Sequence, residues 1–439
     1  MRIVNSRLIG MVLVIVSMLI ATSAFAMAAS IKTAPSLSAA TDQPIKDAEW
    51  TIMVYLDADN SLESSGLLDL VEMEAAGSGA GVNVIVMFDG LSLVSGTHWF
   101  YIGQNSDHIL DDGTVVCDCG KIAGGCPGEQ NMGAASTLTY FIKTATAYAP
   151  AQKYLLDMWD HGGGWWGVCY DETTVTDDGS TDRLTMDEVA RGVKDSGVHM
   201  DVIAYDACFM GMVEVAFENR EIADYMVGSI TTVPGPGFDY TGLINTVKGL
   251  PTKDPVSVSK AVAHTYVAYY SMMCSGAGIG GIPYVSCSVF DLDKVVELVG
   301  VGNTKGGMDA LGKALLDYAD DYDLRGAIQS SEAMTPQLQF MGEQFPFIDI
   351  GYFATLLGEK IPDIATLAGE TFKLLDAAVI YCESVVSDSG ACINTYGMSV
   401  YYTICWDHLY PNYLTSNLDF VSLTSWDEFL FAFSQVYVE

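Results

Sequence analysis

Polar and apolar residues alternate along this chain in blocks, and the blocks set out a strand–helix succession. "WTIMVYLDAD" (50–59) is apolar without a break until its acids, the pattern of a strand buried on both faces. "VNVIVMFDG" (82–90) repeats it, and "THWFYIG" (97–103) follows closely enough to complete a hairpin. "STLTYFIKTATAYA" (136–149) has helical spacing, with Ser136 as N-cap and Pro150 as stop. "KYLLDMWD" (153–160) and "MDVIAYDA" (200–207) predict further buried strands. "LTMDEVARGVKDSG" (184–197) predicts a helix closed by Gly197, and "FMGMVEVAFENREIA" (209–223) another. "DYMVGSI" (224–230) predicts a short strand.

Strands alternating with helices imply an α/β fold with a mostly parallel sheet and helices on both faces. Ligands of such sheets bind beyond the carboxyl ends of the strands. After Pro251 the pattern turns mainly helical, over 254–273, 293–300, 306–320 and 364–385, with strands at 284–292 and 396–403 that could join the sheet. The expected organisation is a catalytic domain over 50–250 and a mainly helical C-terminal region over 251–439.

The N-terminus changes the picture. Arg2 and Arg7 introduce the apolar run "LIGMVLVIVSMLIATSAFA", which ends in the small-x-small triplet Ala24-Phe25-Ala26. Residues 1–26 read as a secretory signal, with a retained membrane anchor as the rival. Residues 27–49, rich in Ala, Ser and Thr, read as a linker. The expected localisation is secreted or cell-surface, and a mature chain without residues 1–26 would not span a membrane. Charge adds an exclusion. Twenty Lys and Arg face 55 Asp and Glu, a formal net charge of −35, so nucleic acid is excluded as a partner. Ten cysteines in a secreted chain should mostly pair. "CDCGKIAGGC" holds Cys117, Cys119 and Cys126, but three ligands at this spacing do not match a zinc ribbon, and no metal ligand is assigned. His98, His108, His199, His264 and His408 show no paired spacing for a metal.

Two strand ends carry candidate chemistry. His161 follows the strand at 153–160, in "LLDMWDHGGGWWG". It either punctuates the strand end or stands where Gly162, Gly163 and Gly164 clear room for a substrate against the backbone. Cys208 lies between the strand at 200–207 and the helix predicted at 209–223, where the helix macrodipole would favour thiolate. Its alternative is a small buried hydrophobe. A backbone N–H of Gly162, Gly163 or Gly164, together with that of Cys208, could form an oxyanion hole. Asp206, two residues before Cys208, shares its side of the chain and could line the same pocket or cap the next helix. Cys169 sits in the outgoing loop, where a disulfide or an inert thiol fits better.

"WTIMVYLDADNSLE", "DMWDHGGGWWG" and "VIAYDACFMGMVEVA", in this order, closely resemble the clostripain-like cysteine peptidases of the caspase-fold group, whose relatives include gingipains and legumains. "VPGPGFDYTGLI", "FIDIGYFA" and "YGMSVYYT" resemble later blocks, extending the likeness over 50–410. The resemblance implies a cysteine endopeptidase acting on proteins or peptides, with His161 as base and Cys208 as nucleophile. It implies an oxyanion hole at Gly162 and Cys208, and Asp206 in the pocket that selects Arg or Lys. His161 and Cys208 are 47 positions apart (208 minus 161), near the roughly 50 of caspases, although the caspase Gln-Ala-Cys signature is absent. Thr231 and Thr232 stand where relatives often carry acids, which weakens the case for strict basic specificity. Many relatives resemble zymogens that cut themselves between the His and Cys blocks. Here "DETTVTDDGSTD" (171–182) is an acidic run read as a solvated loop, and Arg183 just after it is the candidate cleavage site. The chemistry needs no cofactor. The chain could bind calcium, as some relatives depend on that ion, but the acidic run does not match an EF-hand loop and the site is unknown. Two rival functions stand beside the endopeptidase: an inactive surface-bound homologue and a thiol transpeptidase on the same fold.

Overall fold

The computed structural model describes residues 43–435 apart from 105, 110–113, 177–178, 276–283, 319–324, 331–336, 341–342, 387–394 and 404–410. The signal segment 1–26, most of the linker, Cys392, Cys405 and His408 lie outside the described residues. The chain divides into two compact units. The first comprises Met1–Gly162, Gly167–Ala207 and Val233–Gly281, and the second Gly163–Trp166, Cys208–Thr232 and Ile282–Glu439.

In the first unit the apolar runs become β1 (Ala48–Ala58), β2 (Val82–Gly90), β3 (Gly96–Tyr101), β4 (Ala151–Trp159) and β7 (Met200–Asp206), hydrogen-bonded in the order β3-β2-β1-β4-β7. Between β4 and β7 come β5 (Val168–Val175) and β6 (Thr181–Leu184), a separate antiparallel pair. β2, β1, β4 and β7 run parallel, and β3 returns antiparallel to β2 at the edge. β1 and β2 are buried along nearly their whole lengths, as their unbroken apolar runs require. Helices cover the strands in two groups. Ala135–Tyr148 packs with Met186–Ser196, and Glu63–Ala76 packs with Tyr240–Gly249 and then Pro255–Ser275. The helix at 186–196 starts on a capping box of Thr185 and Glu188 and stops at Gly197, whose φ of 75° is left-handed. The helix at 135–148 starts one residue before the expected cap, with Ala134 at the N-cap position and no side-chain cap.

Register collects acids at the carboxyl ends of the parallel strands. Asp57 pairs with Asp89, Val54 with Asp157, and Trp159 with Asp206. All four aspartates are buried.

The second unit is antiparallel and richer in strands than expected. β8 (Ala223–Gly228) pairs with β9 (Tyr284–Asp291), and β9 with β12 (Val379–Val386). A small sheet joins β10 (Gln337–Phe340), β11 (Glu343–Asp349) and β13 (Ser399–Tyr401). The helix expected over 364–385 ends at Ala378, and the β-branched stretch after it becomes β12. The core of this unit is aromatic, with Trp426 against Phe429 and Phe353, and Tyr401 tilted on Tyr413 at 4.3 Å between centroids.

Candidate active site

His161 is positioned by the ends of β1 and β4. Asn60, just beyond β1, donates from Nδ2 to Asp160 Oδ1 at 2.6 Å and to the carbonyls of Asp57 and Tyr170. The Tyr170 N–H donates to Asp160 Oδ2, and the Asp160 N–H reaches the Asp206 carbonyl at 3.4 Å. These bonds fix the turn that carries His161. Its Nε2 lies 3.1 Å from Ser61 Oγ, and surrounding atoms desolvate the ring, pushing its pKa down to about 4. The imidazole is therefore neutral at pH 7.

Asp206, at the end of β7, is buried. Its Oδ2 accepts from the Phe238 N–H at 2.8 Å and from Tyr240 Oη at 3.3 Å, while Oδ1 has no hydrogen-bond partner. Tyr240 also donates to Asp157 Oδ2 at 2.7 Å, and Asp157 Oδ1 likewise has no partner. Burial first, then the charge of Asp157, raises the Asp206 pKa well above the usual range. Gly237, at φ 60°, is required here, because a Cβ would fall 2.5 Å from Asp206 Oδ2.

In the second unit, Cys208 is a partly exposed thiol. It does not sit at a helix start. The helix begins only at Val213 and is six residues long, followed by a 3-10 turn at 219–221. Residues 208–212 form a tight turn instead, with Phe209 at φ 62°. The Phe209 N–H donates to the Thr231 carbonyl at 2.9 Å, that of Gly211 to Ser229 at 2.7 Å, and that of Ser399 to Gly211 at 3.0 Å. Long-range backbone bonds thus displace the predicted first turns of helix, and the macrodipole argument for a thiolate falls with them. Gly164 packs against this turn at φ 62°, where a Cβ would collide with the Met212 side chain and approach the Phe209 carbonyl at 3.1 Å. Trp165 is core, edge-on to Tyr401 and Tyr413.

In the first unit, Gly162 forms an isolated antiparallel bridge with Val168. Cys169 is a buried thiol, its pKa raised well above the ordinary value by burial and nearby aspartates, which fits an inert role. Residues 171–175 and 181–182 are not loop but belong to the paired strands β5 and β6. Asp171 is fully buried in β5, accepting from the Met132 and Thr174 N–H groups, and Arg183 lies in β6 opposite Tyr170.

Two clusters have metal-ligand character. Oxygens of Asp59, Asp89, Glu129 and Asp171 lie within 4.8 Å of one another, and Asp59 Oδ1 and Asp89 Oδ2 are buried with no hydrogen-bond partner. Nδ1 or Nε2 of His98 and the sulfurs of Cys117, Cys119 and Cys126 form the second, also within 4.8 Å. His98 had no paired spacing in sequence; chain return onto β3 brings it to the cysteines. None of the seven cysteines whose state is described is in a disulfide, contrary to the expectation that most would pair.

The sequence model of the clostripain family, peptidase C11, matches residues 54–431. The chain belongs to the clostripain family. Clostripain from Hathewaya histolytica is 31% identical over 229 residues, covering 46% of this chain and 43% of that protein, so the match spans less than half of this relative's length. A secreted C11 cysteine protease from Bacteroides thetaiotaomicron, solved with an irreversible peptide inhibitor, has a TM-score of 0.61 at 21% identity, covering 87% of this chain and 100% of that one. An inactive zymogen C11 protease from Parabacteroides distasonis gives 0.59 at 19% identity, covering 87% and 99%. At these identities the two structures establish the fold. Within this clostripain-family chain, sequence reasoning singled out His161, Cys208, Gly162, Asp206 and Arg183 but passed over Asn60, Ser61, Asp160 and Tyr240. The polar ending "DADNS" after an unbroken apolar run was the available signal for the first two. No helix among the described residues is long and apolar enough to cross a membrane.

Proposed function

We propose that this protein is a secreted cysteine endopeptidase whose nucleophile is Cys208 and whose general base is His161. The observation that carries the reading is the neutral imidazole of His161, fixed by Ser61 beyond the end of β4, in a chain whose family match spans both residues. His161 takes the Cys208 proton and the sulfur attacks the scissile carbonyl carbon. Backbone N–H groups of Gly162 and Cys208 receive the oxyanion. The C–N bond breaks, the amine leaves with the proton from His161, and water hydrolyses the thioester by the same acid–base path.

Specificity for Arg or Lys rests on Asp206. Its unpartnered Oδ1 is a buried acceptor that a guanidinium or ammonium would satisfy. Thr231, hydrogen-bonded to Ser229 Oγ at 3.0 Å, adds no second charge, so the preference rests on one acid. Calcium fits the chain's donors as well: Asp59, Asp89, Glu129 and Asp171 would hold a divalent ion by oxygen alone, and the ion would offset their mutual repulsion. We also place activation at Arg183, as in a zymogen, with the β5–β6 pairing parting before cleavage. N-terminal sequencing of active enzyme should then find Leu184, and an intact, fully active chain would refute this step.

A peptidyl-Arg acyloxymethyl ketone tests the central assignment. It should label the wild type at Cys208 and leave Cys208→Ala unlabelled. That variant should lose roughly 10⁴-fold or more of its peptide hydrolysis with its fold unchanged. Near-wild-type turnover by Cys208→Ala would remove the assignment, and transfer of the acyl group to an added amine in place of water would favour a transpeptidase.

A further inference from the structure

We propose that His98, Cys117, Cys119 and Cys126 form a structural zinc site on the edge strand β3. Three crossings of the chain converge there. His98 lies on β3 itself, opposite Phe88 of β2. The Asp118 N–H donates to the Trp99 carbonyl at 2.7 Å, which seats Cys117 and Cys119 beside the strand. The Thr97 N–H donates to the Gly128 carbonyl at 3.2 Å, which seats Cys126 from the other side. Between them the chain makes one helical turn, Cys119–Ile122, and reverses through Gly124 and Gly125, with the Gly125 N–H bonded to the Cys119 carbonyl.

The four donor atoms lie within 4.8 Å of one another. Cys117 Sγ is 3.2 Å from Cys126 Sγ, and Cys126 Sγ is 3.9 Å from His98 Nδ1. Tetrahedral zinc, with Zn–S near 2.3 Å and Zn–N near 2.0 Å, needs donor separations of about 3.5–3.8 Å, so small side-chain rotations complete the shell. The outer shell is already in place. His98 Nε2 lies 3.2 Å from the Ser95 carbonyl, the bond that holds a ligating imidazole with its other nitrogen toward the metal. The Trp99 N–H points at Cys119 Sγ at 3.4 Å, as a thiolate would favour.

Three sulfurs and one imidazole select zinc over oxygen-loving cations, and a full set of four protein ligands marks a structural site rather than a catalytic one. The competing chemistry is a Cys117–Cys126 disulfide. It would use two of the four groups and leave buried Cys119 and His98 Nδ1 with no part in it. On binding, the three thiols release their protons to solvent. The ion would tie the segment leading to Glu129 onto β3, closing an otherwise open sheet edge.

Full-length protein purified under reducing conditions should carry one zinc, measured by elemental analysis, and Cys208→Ala should carry as much. Cobalt exchanged into the wild type should give the intense visible band of a tetrahedral site and thiolate charge transfer in the near ultraviolet. Cys119→Ser and His98→Ala should weaken metal affinity about 100-fold or more, and His98→Cys should retain it. A weak octahedral cobalt spectrum without charge transfer would overturn the proposal. So would a Cys117–Cys126 cross-link in the non-reducing peptide map of the secreted protein. Both readings are made on the wild type, so neither depends on a variant folding or on the peptidase assignment.

Discussion

Most of the acids with a buried, unpartnered oxygen gather in the first unit, while the second holds Glu214 and Asp427. In the second unit, Asp309 and Asp349 have both carboxylate oxygens in hydrogen bonds. Asp349 accepts from Gly351, Tyr352, Thr395 and Tyr396, and Asp309 from Gly302, Lys313 and Ser425. These carboxylates act as caps and braces. In the first unit, Asp57, Asp59, Asp89, Asp157 and Asp206 are buried, and each keeps one oxygen without a partner. Among the described residues that unit buries no lysine or arginine to offset them. Uncompensated buried carboxylates destabilise a fold, and such clusters gather where function needs them. Asp309 and Asp349 serve the fold, as Asp160 and Asp171 do in the first unit, whereas the five aspartates with an unpartnered oxygen are the ones a cationic group would satisfy.

The sharpest way to separate the two regimes is to damage the core that has no chemical duty. Trp426 is fully buried, donates from Nε1 to the Tyr401 carbonyl at 2.8 Å, and packs on Phe429 and Phe353. Trp426→Ala should cost about 3–5 kcal/mol in urea unfolding. The kcat/KM of the surviving folded fraction should stay within a few-fold of wild type. A selective loss for basic substrates, with stability unchanged, would erase the distinction between the units.

Asp206→Asn should act the other way. Removing a buried charge with an unpartnered oxygen should leave stability at pH 7 unchanged or raised. Meanwhile kcat/KM for Arg or Lys substrates should fall by about 100-fold, with neutral substrates much less affected. Equal loss for both classes would make Asp206 a structural residue.

What the sequence made legible follows the range of the forces involved. β1, β2, β4 and β7 were readable because residues buried on both faces must be apolar, and a run of that kind is local. The end of the helix at Ala378 was less so. The apolar pattern continues past it, and only pairing with β9 turns Val379–Val386 into a strand. The Cys208 turn was not legible, because its helical-looking successors are held by Thr231, Ser229 and Ser399, partners far away in sequence. His98 was discarded as a ligand for the same reason: its neighbours in space come 19 or more residues later (117 minus 98).

The pH dependence of stability should carry a contribution from the first unit as well. Burial raises the Asp157 pKa to about 7, against about 3.9 for an unfolded aspartate, despite the bond from Tyr240. The folded state therefore binds more protons between these values. This contribution is fully present below about pH 4 and is lost as pH rises through about 7. Asp157→Asn should remove that slope and be more stable than wild type at pH 8 by about 2 kcal/mol. Unfolding midpoints measured from pH 4 to 8 decide it, and an unchanged slope in the variant would show that Asp157 carries no such burden.

The smallest expected effect is in the second unit, at Tyr413. Its hydroxyl donates to Glu214 Oε1 at 3.1 Å, an oxygen that the Tyr401 N–H also reaches at 2.8 Å. Burial raises the Glu214 pKa to about 7, and the bonds from Tyr401 and Tyr413 hold it from rising further. Tyr413→Phe keeps the ring against Trp165 and Tyr401 and removes one hydrogen bond from a carboxylate that still has another. The loss should be about 1 kcal/mol. It should depend on pH in a set direction. A hydroxyl donates more strongly to an ionised carboxylate than to a neutral one, so the cost should be greater at pH 8, where Glu214 is ionised, than at pH 5, where it is protonated. Paired urea titrations at the two pH values measure the difference. A cost that is equal at both, or larger at pH 5, would mean that the hydroxyl does not brace Glu214, whose Oε2 has no partner of its own.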